Sequence, residues 1–320
     1  MGKDIRDTFF NALYKKAIID KSIVVITADA DAFGLKQFRD NIPDRFINIG
    51  VTEQNMINVA AGMAMRGKKV YVYSIIPFLT MRAFEQIKFN LSGMRLAVRL
   101  VGIGTGFSFG FDGPSHHGIT DIGIMRTVPE MEIYNPCDEF STLASMNLMN
   151  MSLSPTYIRL DKGEYEDIYT WDEIFSGEGE ILIDSDHFKK YKYLTDNKKS
   201  DILVLSTGYT THIVMDFIKK YKNEASKINF IDVYQLKNFP DIELKNYKHI
   251  IVIEEHSIVG GLFNIICEVV AKNGYKSTVH PITLLDMEYI IYGSREFLLE
   301  KSDITPKSLL KTILECRKNV

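Results

Sequence analysis

The chemistry-bearing features of this 320-residue sequence are a few carboxylates and imidazoles set among glycine-rich turns. In Ile47-Asn-Ile-Gly-Val-Thr-Glu-Gln-Asn-Met56 a strand-like run ends, Gly50 turns the chain, and Thr52-Glu53 opens a helical pattern. An acid in a first helical turn suits the helix macrodipole. The same acid at the carboxyl edge of a parallel sheet would be aimed at a ligand; the motif alone accommodates both readings. Gly106-Phe-Ser-Phe-Gly110 spells the G-x-S-x-G of a hydrolase nucleophile elbow. The run that follows, Phe111-Asp-Gly-Pro-Ser-His-His-Gly118, is rich in turns and cannot open a helix at Ser108, so a glycine-rich loop is the better reading. Gly102-Ile-Gly-Thr-Gly106 fails as a dinucleotide fingerprint because Phe107 stands at the third glycine, and no G-x-x-x-x-G-K-[ST] phosphate loop occurs. Asp112 and His116-His117 are metal-ligand types. Adjacent side chains of an extended segment face opposite ways, however, and no further ligand cluster lies near in sequence.

The elements around these residues alternate between strand and helix. Ser22–Thr27, Arg45–Ile49, Lys69–Tyr73, Leu96–Gly102, Glu132–Tyr134 and Thr156–Leu160 read as strands. Glu53–Met65, apolar at Met56, Val59, Ala60 and Met63, and Thr80–Leu91 read as helices. The polar stretch Gly163–Ser200 breaks the rhythm and reads as a connector with a hairpin. The alternation then restarts: strands at Asp201–Leu205, Ile228–Val233 and His249–Ile253, helices at Thr210–Tyr221, Ser257–Asn273 (after the Gly260-Gly261 turn) and Pro306–Cys316. The pattern predicts an α/β fold of two doubly wound domains, each with a mainly parallel sheet flanked by helices. Residues 1–170 and 200–320 form the domains and 171–199 the connector.

Composition narrows the function. Apolar residues make up 46% and charged residues 25%, so the chain can build a core, and the net charge of −3 argues against nucleic-acid binding. The longest apolar stretches, Ile250–Ile253 and Ile258–Val270, are short or interrupted by Asn264 and Glu268, which predicts no membrane span. Met1-Gly-Lys-Asp-Ile-Arg6 has no signal-peptide core, and Arg6 breaks the myristoylation pattern. The three cysteines, Cys137, Cys267 and Cys316, are far apart and odd in number, which suits buried thiols in a reducing cytoplasm.

Four segments, taken in order, resemble the transketolase family, and specifically its C-terminal half. They are Arg6-Asp7, Asn48–Asn55, Phe78–Gln86 (Phe-Leu-Thr-Met-Arg-Ala-Phe-Glu-Gln) and Asp112–His116 (Asp-Gly-Pro-Ser-His). Val252-Ile-Glu-Glu-His-Ser-Ile-Val-Gly-Gly261, Tyr292-Gly-Ser-Arg-Glu296 and Leu298-Leu299 resemble its C-terminal domain. The resemblance covers nearly the whole chain. It implies thiamine diphosphate as cofactor, bound between a pyrimidine-binding domain, matched by residues 1–170, and a separate diphosphate-binding domain. The latter carries a Gly-Asp-Gly motif with a later Asn that together hold Mg²⁺, and no Gly-Asp-Gly occurs here. The implied protein is therefore the C-terminal subunit of a split transketolase. Its partner is an N-terminal subunit that holds most of the Mg²⁺ site, in an α2β2 heterotetramer that moves a two-carbon ketol unit from a ketose to an aldehyde acceptor.

The resemblance also assigns roles. Glu53 matches the glutamate that shares a proton with the aminopyrimidine ring nitrogen, Phe78 the ring that stacks on the pyrimidine, and Asp29 an aspartate of the cofactor pocket. Asp112 and His116 match residues that contact sugar hydroxyls, with His116 suited to acid–base work near neutral pH. His256 falls in the C-terminal signature as a structural brace. In the family two arginines, a histidine and a serine grip the substrate phosphate. Arg6 keeps one arginine, Lys162 replaces the other and loses the bidentate fork, Gly104 stands at the histidine and Phe33 near the serine. With Phe107, Phe109 and Phe111 adding apolar surface, an unusual or nucleotide-linked sugar is expected. The beta subunit of a 2-oxoacid dehydrogenase, a deoxyxylulose-phosphate-synthase-like enzyme and a non-catalytic regulatory subunit are the alternatives.

Overall fold

Aliphatic runs bounded by turns become strands buried on both faces, as Ile23-Val-Val-Ile-Thr27 is. The computed structural model describes residues 3–174, 191–195, 197, 200–240 and 242–318. Its strands are β1 (Lys3–Asp4), β2 (Ile23–Thr27), β3 (Phe46–Asn48), β4 (Lys69–Ile75), β5 (Arg99–Ile103), β6 (Glu132–Tyr134), β7 (Thr156–Leu160), β8 (Glu164–Tyr165), β9 (Tyr191–Tyr193), β10 (Ile202–Ser206), β11 (Asn229–Val233), β12 (His249–Ser257) and β13 (Thr278–Leu284). The first sheet has the order β3-β2-β4-β5-β7-β6 and is parallel throughout. The second has the order β13-β12-β10-β11-β9, with β9 alone antiparallel. The fold class expected from the alternation is the one observed.

The helix Glu53–Met65 buries Met56, Ile57, Ala60 and Ala61 as one stripe and stops at Arg66-Gly67, where Gly67 takes φ 80°. Elsewhere some elements depart from expectation. Ile5–Ile19 is a 15-residue helix capped by the Asp4 side chain. Thr80–Leu91 is not one regular helix: Phe78–Arg82 and Ile87–Ser92 are wide π turns around a single α turn, Phe84–Gln86. Thr80 Oγ1 bonds the Ile76 carbonyl at 2.8 Å and competes with the main-chain ladder there. The expected hairpin falls largely on residues 175–190, outside the described residues. Of its flanks, β8 pairs with β1 and β9 with β11, so neither pairs with the other.

The two sheets are joined by main-chain bonds between β6 and the segment that follows β11. Asn135 N donates to the Tyr234 carbonyl (2.8 Å) and Leu236 N to the Ile133 carbonyl (2.9 Å). One apolar cluster includes Val72 and Leu100 from the first sheet and Leu203 and Val252 from the second. No helix among the described residues is long and apolar enough to cross a membrane.

Candidate active site

In a parallel sheet the carboxyl ends of the strands open onto one edge, where the following loops can converge. The expected residues follow such ends: Asp29 follows β2, Glu53 β3, Phe78 β4, Asp112 and His116 β5, and Lys162 β7. Gly50, at φ 73°, makes the turn that starts the Glu53 helix inward. Glu53 is 1% exposed. Its Oε2 accepts from Arg82 Nη1 at 2.6 Å, and Oε1 lies 3.5 Å from Ser74 Oγ. The Arg82 guanidinium also lies over the Phe78 ring, 4.3 Å from its centroid. A buried carboxylate is thus paired with a half-exposed cation that can move out to water.

Phe78 continues the chain of contacts. Its ring meets the His116 imidazole edge-on at 5.0 Å, and Phe109 approaches His116 at 6.2 Å. Lys162 Nζ lies 5.2 Å above the Phe109 ring. Ser115 Oγ is 3.0 Å from His116 Nδ1. The geometry therefore brings Glu53, Phe78, His116 and Lys162 into one row, together with Arg82 and Phe109. Asp112 is exposed on the same loop. Asp29 and Arg6 have other partners. Asp29, at φ 58°, exchanges hydrogen bonds with Asn48, Asp29 N to Oδ1 and Asn48 Nδ2 to Asp29 Oδ1 (3.1 and 3.2 Å). Arg6 is half-buried between Asp4 and Asp7, 3.6 and 3.5 Å away. His117 turns away from His116 and is buried against Phe107, and burial lowers its pKa. Phe107 is fully buried in the second domain's core, so it adds nothing to the site entrance, contrary to expectation. Phe111 and Phe33 are exposed, and Phe109 is partly so.

The loop between β5 and His116 is braced by the second domain. Arg295 bonds the Asp161 carboxylate through Nη1 (2.6 Å) and Glu255 through Nε (3.1 Å to each oxygen) and Nη2. Its guanidinium lies 3.6 Å from the Tyr209 ring centroid. Asp161 in turn accepts from Thr105 Oγ1 at 2.8 Å, and Glu255 accepts from Phe107 N at 2.8 Å. Gly106 sits between them at φ 54°, where a Cβ would collide with the Glu255 carboxyl. Burial pushes the Glu255 pKa up, against the pull of Arg295. Next along β12, Glu254 accepts from the backbone N–H of Leu262 and Phe263 at 2.7 and 2.8 Å, and burial raises its pKa to about 7. His256 is buried beside them, with Nδ1 2.9 Å from the Ser257 carbonyl and a pKa lowered to about 4 by desolvation. Sequence reasoning passed over Arg82, Asp161, Glu255 and Arg295. Their one signal is charge inside or beside otherwise apolar motifs: Arg82 in Phe78–Gln86, Glu255 in Val252–Gly261 and Arg295 after Tyr292.

Two family models match the chain. The "Transketolase, pyrimidine binding domain" model matches residues 2–167 and the "Transketolase, C-terminal domain" model residues 191–309. The chain is 27% identical to a subunit of the apulose-4-phosphate transketolase of Phocaeicola vulgatus, over 97% of this chain and 96% of that one. It is 26% identical to the 6-deoxy-6-sulfo-D-fructose transketolase subunit SqwH of Clostridium sp., over 98% and 95%. Among solved structures, a split gene transketolase described as an inactive beta4 tetramer superposes with a TM-score of 0.81, at 25% identity and 98% coverage of both chains. With a row of buried and aromatic groups on the carboxyl edge of its first sheet and both domain models along its length, the chain belongs to the transketolase family.

Proposed function

We propose that this chain is the C-terminal subunit of a two-subunit, thiamine-diphosphate-dependent transketolase that moves a two-carbon ketol unit from a ketose to an aldehyde acceptor. The observation that carries the reading is Glu53: a carboxylate 1% exposed, at a helix start, beside the face of Phe78. The planar Arg82 guanidinium covers that face and pairs with that carboxylate, so the pocket fits a flat, basic heteroaromatic ring of similar placement. When bound, thiamine diphosphate supplies the electron sink for breaking a carbon–carbon bond beside a ketone. Glu53 shares a proton with the pyrimidine nitrogen, Phe78 stacks on the ring, and Asp29 lines the pocket. His116 exchanges a proton with the sugar oxygen at the reacting carbon, and Asp112 binds a neighbouring hydroxyl. Arg6 and Lys162 bind the far end of the substrate. Residues 1–170 act as the pyrimidine-binding unit, 171–199 as connector and 200–320 as the C-terminal unit.

The partner is a separate diphosphate-binding subunit that holds Mg²⁺, in a cytoplasmic α2β2 assembly. Support comes from the missing Gly-Asp-Gly motif and from the relatives whose names make them transketolase subunits. Titration calorimetry on the chain alone and on the chain with its partner tests the reading. The chain alone should show no micromolar Mg²⁺-dependent binding of thiamine diphosphate, and the pair should; tight binding by the chain alone would overturn the two-subunit assignment. The substrate is not an ordinary pentose or hexose phosphate, since Lys162 has lost the arginine fork and lies over Phe109. Charge-assisted bonds contribute about 1.5–3 kcal/mol each. The reconstituted pair should therefore use xylulose 5-phosphate poorly. A kcat/KM of roughly 10⁴ M⁻¹s⁻¹ or more would refute this.

A further inference from the structure

Far from the carboxyl edge, at the amino end of the second sheet, three metal-ligand side chains from three elements meet. His249 opens β12, and His280 lies on β13, the edge strand. Their register pairs His249 with Thr278 and Ile251 with His280. The two histidines therefore stand diagonally on one face of the ladder. Nδ1 of His249 is 3.1 Å from Nε2 of His280. Two imidazole lone pairs at that distance repel unless a proton or a cation lies between them. The helix Pro306–Lys318 packs on this face with Leu309, Ile313 and Cys316 buried. Cys316 Sγ completes a group whose ligand atoms all lie within 4.8 Å of one another, and no other such group occurs among the described residues.

We propose that His249, His280 and Cys316 form a Zn²⁺ site that ties the C-terminal helix to the edge of the second sheet. Two imidazole nitrogens and a thiolate are the borderline-soft donor set that Zn²⁺ prefers over Mg²⁺ or Ca²⁺. Tetrahedral coordination needs N–N and N–S separations of about 3.3–3.6 Å, so side-chain rotations of about 1 Å close the site. Water takes the fourth position. An open cavity of about 890 Å³ lies along the same helix and edge strand, lined by Glu315 and Pro281, the chain neighbours of Cys316 and His280. Binding releases the thiol proton to solvent and leaves both imidazoles neutral. The three ligands are 249, 280 and 316 along the chain, so the ion closes long loops in the folded state. The proposal does not rest on the sugar-transfer reading.

The test uses the full chain, stripped with a chelator and dialysed. Zn²⁺ is titrated in competition with a chromophoric chelator, Co²⁺ is added as a spectroscopic probe, and thermal unfolding is followed with and without Zn²⁺. One equivalent of Zn²⁺ should bind, raise the Tm, and give Co²⁺ a thiolate charge-transfer band. Cys316→Ser and His280→Gln should each weaken Zn²⁺ by more than the roughly 10–100-fold that loss of an outer partner costs. His280 is partly exposed, so His280→Gln keeps the test alive if Cys316→Ser fails to fold. Equal affinity in wild type and His280→Gln, absence of the Co²⁺ band, or equal stabilisation by Mg²⁺ would overturn the proposal.

Discussion

Replacing Arg295 by methionine should show how firmly the second domain holds the loop of the first. The guanidinium is bonded to Asp161 and Glu255, and all three side chains are at most 8% exposed. Methionine fills a similar volume but leaves two buried carboxylates facing each other without a counter-charge, held by Thr105 and main-chain donors. Breaking a buried pair in this way costs about 3–5 kcal/mol, against about 0–1 for an exposed pair. The penalty has a pH signature. Burial already raises the Glu255 pKa above its usual 4.5, and removing Arg295 takes away the opposing attraction. A carboxyl with a raised folded-state pKa binds more protons folded than unfolded. Its folded state therefore gains stability as pH falls and loses it as pH rises through the folded pKa. The gap between wild type and Arg295→Met should be full near about pH 8 and shrink toward about pH 5. Urea unfolding of both chains by circular dichroism, at fixed protein concentration across that range, measures it. A gap below about 1 kcal/mol, or one that ignores pH, would refute the bracing argument.

Glu53→Gln, assayed with the partner subunit, should keep the fold and lose roughly 10²–10⁴-fold in turnover, with C2–H/D exchange of the bound cofactor slowed in step; exchange at the wild-type rate would remove Glu53 from its proposed role. Gly106→Ala forces a β-carbon into the Glu255 carboxyl at φ 54°, so the Michaelis constant for sugar should rise while circular dichroism stays native. Asp232 is buried, accepts from Tyr169 Oη at 2.6 Å and from Thr211, and has a pKa raised from 3.8 to about 7 by desolvation. Its contribution to stability is therefore lost as pH rises between those values, and Asp232→Asn should flatten the unfolding profile across that window.

Much of the fold was legible because its strands are buried on both faces and its turns are marked. The helix Glu53–Met65 has the bounds its periodicity indicates. The helix Glu139–Met151 escaped notice because it buries Ser141, Thr142, Ser145 and Asn147, which leaves a weak apolar stripe. Their donors turn back onto the helix's own carbonyls: Thr142 Oγ1 donates to the Asp138 carbonyl, Ser145 Oγ to Ser141 and Asn147 Nδ2 to Leu143. The irregular turns of 78–92 read as a plain helix because the buried Leu79, Ala83, Ile87 and Leu91 recur every four residues. In the candidate site, Glu53, Phe78 and His116 were legible through local motifs. The bracing group was not, since Thr105, Asp161, Glu255 and Arg295 are scattered over 190 residues and nothing in local spacing links them.

The Arg295 brace also bears on recombination between related subunits. The two family models part between residues 167 and 191, which makes the intervening stretch a natural crossover point for chimeras. Such a crossover would separate Thr105, Gly106 and Asp161 from Glu255 and Arg295. A donor half with a larger residue at 106, or without an acid at 161, would meet a preformed Glu255–Arg295 pair that it could not accommodate. Exchangeable halves must therefore match at these five positions, however well their sheets and helices agree, and libraries built by domain exchange should be filtered on them first.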